Sequence, residues 1–139
     1  MAFSDSKTDF WQECVFDPGL NGETQLLRVN YRNQDRVVAS LEMHRLTQQV
    51  VMPLNGDIIQ IVAIGQPDVT SLTAFRIRAG EGLCMRAACW HATRVEVSEI
   101  NCLMLTRKST TADLIAHLTR GTPLLESAIA TFDEATIAF

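Results

Sequence analysis

Basic residues are few in this sequence. Lysine and arginine total 12 against 16 acidic residues, a formal net charge of −4 over 139 residues. They are also scattered, as at Arg28, Arg32, Arg36 and Arg45. No stripe of positive charge can track a polyphosphate backbone, so nucleic acid is excluded as an expected partner. No apolar run reaches the ~18 residues that cross a bilayer, so no membrane span is expected. The opening stretch MAFSDSKTDFWQE has no basic segment leading into an apolar run, the mark of a signal peptide. Cysteine is sparse: Cys14, Cys84, Cys89 and Cys102 form no CxxC pair. That excludes a zinc ribbon or a dense disulfide framework, and the expectation is reduced, partly buried thiols in a cytoplasmic protein. There is no GxSxG elbow, Walker loop, HxH or HExxH. With only three histidines, any metal site needs carboxylates and waters as well.

What is present is ordinary for a globular chain: 47% hydrophobic and 20% charged residues. The length fits one domain over residues 1–139, with one core and no staple. Residues 1–9 are polar and expected to fray. Short apolar runs then alternate with turn chemistry. The expected strands are Phe10 to Phe16, Leu26 to Tyr31, Val37 to His44, Gln48 to Leu54, Ile58 to Ile64, Leu72 to Ile77, Gly82 to Arg86, Trp90 to Val97 and Cys102 to Arg107. Asn21-Gly22 and Asn55-Gly56 carry hairpin signals between runs. About nine strands with turns every 8–12 residues describe an all-β antiparallel barrel or sandwich over residues 10–107.

The period changes after Lys108. Ser109 or Thr110 can cap a helix over about Thr111 to Thr119, with Asp113 near its positive end and Arg120-Gly121 closing it. Pro123 suits the first turn of a second helix, Leu124 to Phe132. Residues 109–139 are therefore expected as one or two short C-terminal helices. Phe10, Trp11 and Tyr31 exceed what a thin barrel needs, which points to a homodimer.

Chemistry is concentrated at few positions. His117 reads as a surface residue of the helix. Glu42 and His44 are two apart on one expected strand and share a face, so they can serve as an acid–base pair or as two metal ligands. Ordinary polar residues on a solvent-facing strand fit the same spacing. His91 beside Trp90 can line a pocket mouth or sit in an aromatic core. Parity sets Val37, Ala39, Leu41 and Met43 opposite Val38, Ser40, Glu42 and His44. Burying a Val or Leu side chain contributes roughly 1.5–3 kcal/mol, so burial alone turns the apolar set inward and Glu42 outward.

The ordered series Glu42, His44, Gln49, Pro53, Leu54 and Gly56, followed by Pro67-Asp68, Leu72, Ala74-Phe75, Gly80, Gly82 and Trp90-His91, resembles the ureidoglycolate lyase family of cupins. The resemblance covers roughly Leu27 to Arg107. It departs at Met85, where the family carries an aromatic, and at Ala92-Thr93. It implies a cupin-like barrel whose interior holds Glu42 and His44. It also implies cleavage of ureidoglycolate to glyoxylate and urea, a step of purine (allantoin) breakdown. Glu42, His44 and His91 are then the catalytic candidates. Gln49, Arg86 and Trp90 are the substrate-binding ones, with Arg86 anchoring the carboxylate of a small-molecule substrate. A divalent metal is compatible with this set, though no residue pattern requires one. Two other readings stay open: a cupin-like binding or structural protein without catalysis, and a metal-dependent cupin enzyme with Glu42, His44 and His91 as ligands.

Overall fold

A computed structural model describes residues 2–138. Its strands are β1 (Phe3–Ser4), β2 (Asp9–Phe10), β3 (Thr24–Tyr31), β4 (Val37–His44), β5 (Gln49–Pro53), β6 (Ile58–Ala63), β7 (Thr73–Ile77), β8 (Leu83–Met85), β9 (Trp90–Arg94), β10 (Ile100–Arg107) and β11 (Ser127–Thr136); α1 (Lys108–Arg120) lies between the last two. Two antiparallel sheets form the body, in the orders β3-β10-β5-β8 and β11-β4-β9-β6-β7. No helix among the described residues is long and apolar enough to cross a membrane.

Period-2 patterning builds these sheets. Along β3, exposed residues alternate with half-buried Leu27, Val29 and Tyr31, and along β10 Ile100, Cys102, Met104 and Thr106 are buried. One core joins Val51, Ile58, Ile77, Val95, Ile100 and Cys102, with Tyr31 and Leu83 packed against it. A second joins Val38, Leu41, Ile61 and Ala63, with Trp90 and Phe132 against it. Val38 and Leu41 have opposite parity, so the clean alternation expected for β4 breaks between them. The register shifts at the same place, where Thr131 and Ala135 of β11 face Ser40 and Val38.

Three expectations change at the ends of the chain. Residues 1–9 are not simply frayed: β1 and β2 pair, Phe3 with Phe10 and Ser4 with Asp9. Only Asp9–Phe10 is strand where Phe10 to Phe16 was expected, and the chain then runs irregularly to Asp17. It is fastened there by Gly19, whose φ of 81° and close approach to Leu46 O leave no room for a Cβ.

The second helix does not form. The segment is β11, paired with β4 from Ser127↔His44 to Thr136↔Val37. Asp113 gives the reason. Its carboxylate accepts the backbone N–H of Leu125 at 3.0 Å and of Glu126 at 2.9 Å, turning the chain back toward the sheet. It therefore does not serve the helix N-terminus, which begins at Lys108 with no side-chain cap. Ser109 and Thr110, the expected caps, donate instead to Glu126 Oε2 at 3.1 and 2.5 Å. Gly121, at φ 68°, ends the helix as expected.

Candidate functional site

Strand β4 meets β9 through a single residue pair, Glu42 opposite His91. Because alternate residues share a face, Glu42 and His44 point the same way, into the space between the sheets. A cavity of about 240 Å³ opens there, lined by Leu27, Val29 and Tyr31 of β3, Glu42 and His44 of β4, Gln49 of β5, Met104 and Thr106 of β10, and the inner face of α1. The interior orientation of Glu42 and His44 is thus the one that occurs, against the burial argument. The apolar residues Leu41 and Met43 on the other side of β4 are buried too, so the strand is covered on both faces.

Both imidazoles are buried, His44 5% and His91 4% exposed, with ring centroids 5.1 Å apart. The neighbours of each ring fix its tautomer. Cys89 O can only accept, so His91 Nδ1, 3.0 Å away, is the N–H donor. In neutral His91 the lone pair of Nε2 then lies on the side of Glu42, 3.5 Å from its Oε1. That is an ion-pair distance without a formed hydrogen bond, and Nε2 is left buried with no hydrogen-bond partner. Gln49 Nε2 can only donate, and it lies 3.4 Å from His44 Nε2. His44 Nε2 is then an acceptor as well, and its Nδ1–H donates to Ser127 Oγ at 2.9 Å. Ligand atoms of Glu42, His44 and His91 lie within 4.8 Å of one another.

Electrostatics sort the three groups. Burial, repulsion from His91 and an opposing pull from Glu42 leave His44 pushed down to about 4, so it is a neutral acceptor near pH 7. Burial works to raise the Glu42 carboxyl, but His91 and, less strongly, His44 outweigh it and hold it below the usual range. Tyr31 is pushed up to about 12, chiefly by burial.

The other sequence candidates divide. Gln49 lines the cavity. Trp90 alternates with His91 and packs on the opposite side, against the cluster of Val38, Leu41, Ile61 and Ala63. Arg86 is exposed in the turn after β8, where its carbonyl accepts the Cys89 N–H at 3.3 Å. Neither is among the described residues lining the cavity. His117 Nδ1 donates to Thr122 O, 2.7 Å away, and serves the end of α1. All four cysteines are free.

Sequence reading missed Arg94. Beyond the Glu42–His91 pair, β4 and β9 part, and a recess of about 270 Å³ opens between them, lined by Asn33, Ser40, Glu42, His91, Thr93 and Arg94 among others. Arg94 is 9% exposed. Its Nε donates to Asp35 O at 2.9 Å and its Nη1 to Thr93 O at 3.1 Å. An arginine on a strand otherwise bound for burial was the available signal, since an unpaired cation is rarely enclosed.

An antiparallel two-sheet β fold with imidazoles and a carboxylate converging between the sheets defines a protein of the cupin class. The ureidoglycolate lyase family model matches residues 12–124, and the chain belongs to that family. No curated protein matches it in sequence. Among solved structures it is similar to an oxalate oxidase in complex with the substrate analogue glycolate, at 15% identity and TM-score 0.47, over 59% of this chain and 40% of that one. This chain thus spans less than half the length of that enzyme. It is also similar to protein NMB1881 from Neisseria meningitidis, at 17% identity and TM-score 0.45, over 70% of this chain and 85% of that one.

Proposed function

We propose that this protein is a carbon–nitrogen lyase that cleaves ureidoglycolate to glyoxylate and urea, with Glu42 and His91 as its acid–base pair. The observation that carries the reading, beside family membership, is the approach of Glu42 Oε1 to His91 Nε2 at 3.5 Å in a cavity both side chains reach. The substrate is a carbinol whose carbon bears a hydroxyl, a carboxylate and a ureido nitrogen. Glu42, ionised near neutrality, takes the hydroxyl proton. Glu42 hands that proton to the free Nε2 of His91. The C=O bond of glyoxylate forms as the C–N bond breaks, the departing nitrogen takes the proton from Nε2, and the pair ends with the protons it began with. His44, neutral and held by Ser127 and Gln49, walls the cavity beside Glu42. Arg94 replaces Arg86 as the carboxylate partner, because it shares the recess with Glu42 and His91.

A second reading is favoured by the donor set. Two imidazoles, each with its Nδ1–H held by a protein oxygen, present Nε2 lone pairs beside a carboxylate, an arrangement that suits a divalent cation. Glu42, His44 and His91 would hold it, and when bound it would supply a Lewis acid for the substrate carboxylate and hydroxyl. The test is urea release from ureidoglycolate by purified protein, with and without prior chelation, beside His91→Ala. Turnover that survives chelation and is lost in His91→Ala supports the first reading. Turnover that needs a returned metal supports the second. No urea in either condition refutes both.

A cytoplasmic homodimer belongs to the same proposal. Phe3, Phe10 and Trp11 are more than half exposed and offer an apolar contact. Light scattering showing only monomer would count against it.

A further inference from the structure

The cavity under α1 has two unlike kinds of lining. Polar groups come from Glu42, His44 and Gln49, with the hydroxyls of Tyr31, Thr106, Thr110 and Thr111 beside them. Leu27, Val29, Leu114, Ile115 and Leu118 supply aliphatic surface. No lysine or arginine is among the described residues that line it. A carboxylate placed there would face an ionised Glu42 and a neutral His44, with no cation to receive it. A donor-rich neutral group fits better, and a ureido group has N–H donors for those acceptors. Urea itself has nothing to set against the five aliphatic side chains. Two of them, Ile115 and Leu118, are 54% and 71% exposed on α1, so apolar surface is left to be covered at the mouth.

We infer that this cavity is a subsite for a hydrocarbon substituent on the distal ureido nitrogen, and that the preferred substrates are ureidoglycolates bearing a short N-alkyl group. The inference rests on the lyase reading for its head group. The carbinol carbon sits at Glu42 and His91, its carboxylate reaches toward Arg94 in the recess, and the carbamoyl group extends the other way with its alkyl chain beneath α1. Glu42 lines both spaces and marks where they meet. Cleavage breaks the same C–N bond and releases glyoxylate and an alkylurea in place of urea.

The product side can be tested by binding alone. Methylurea, propylurea, butylurea and hexylurea are titrated calorimetrically into the full chain, into an Ile115→Asn/Leu118→Asn variant and into Leu125→Asn. Ile115 and Leu118 are exposed enough to change without loss of fold, and Leu125, 77% exposed, lies outside the cavity lining. The expected result is tightening by about fourfold per methylene until the space is filled. That gain should flatten in the double variant and persist in Leu125→Asn. A flat series in the unaltered chain, or an undiminished one in the double variant, overturns the inference. Urea release from ureidoglycolate is measured on the same samples. Turnover with a flat series removes the alkyl subsite and leaves the lyase reading. A rising series without turnover does the reverse.

Discussion

Glu42 and His91 are cross-strand partners in the one residue pair that joins β4 to β9, and their side chains approach to 3.5 Å between Oε1 and Nε2. Register therefore enforces the contact: slipping either strand by one residue would send one of the two side chains to the opposite face. The pair also stands where the two strands begin to part: both side chains line the recess beside Arg94, and Glu42 also lines the cavity under α1.

If the pair performs the proton transfers, Glu42→Gln and His91→Ala should each lower kcat for urea release by roughly 10²- to 10⁴-fold, the usual contribution of a positioned acid or base. The double variant should lose little more than either single one, because residues that act as a unit are not additive. Steady-state kinetics on the three variants checks this. Multiplying losses would mean that the two side chains act separately.

His44 depends on Ser127, which is brought to it by β11. Ser127→Ala leaves the buried Nδ1–H without an acceptor. The expected cost is about 1–3 kcal/mol of stability, read as a lower urea midpoint with an unchanged slope. Ser127→Thr, which keeps a hydroxyl, should recover most of it. An Ala variant as stable as the parent would show that the Ser127 contact does not hold the ring.

Tyr31 allows a prediction about alkaline pH. It is the single tyrosine of the chain, so tyrosinate absorbance reports it without ambiguity. Burial raises it from 10.0 to about 12. Between those values the unfolded chain loses the phenolic proton and the folded chain keeps it, so stability falls as pH rises from 10 toward 12. The full effect is on the order of 3 kcal/mol. Tyr31→Phe should remove that part of the slope. A native spectrophotometric titration centred near 10 would contradict the burial on which this rests.

The sheets were legible because their physics is local. Strands β3 to β10 announce themselves by alternation and by turn residues such as Asn55-Gly56, and eight of the nine expected runs overlap them. The fate of Leu124 to Phe132 was not local. Pro123 suits a helix start, and the carboxylate of Asp113, reaching back from α1, turns the segment into an edge strand. The alternation of Ala128, Ile129, Ala130 and Thr131 was the signal available. Glu42 and His44 could be paired from spacing, but their direction could not. Burial energetics assume one covered face, whereas β4 is covered on both. His91 joined them only through register, and Arg94, three residues from His91 against five for Arg86, was passed over because nothing in the sequence shows which way its side chain turns.

The last prediction separates those two arginines. Arg86 is exposed and outside both cavities, so Arg86→Ala should leave KM for ureidoglycolate unchanged. Arg94 lines the recess, and its guanidinium spends N–H groups on Asp35 O, Thr93 O and Val37 O. Five N–H donors are available on a guanidinium, so donors remain for a substrate carboxylate. Arg94→Lys keeps the charge and loses the fork. A charge-assisted hydrogen bond contributes about 1.5–3 kcal/mol, so KM should rise roughly tenfold to a hundredfold while kcat changes less. Because the same substitution loosens three backbone contacts, thermal melting must accompany the kinetics, with rates taken only well below the midpoint. Equal KM values for Arg94→Lys and the parent enzyme, in folded protein, would remove Arg94 from the site and leave the carboxylate to a cation held by Glu42, His44 and His91.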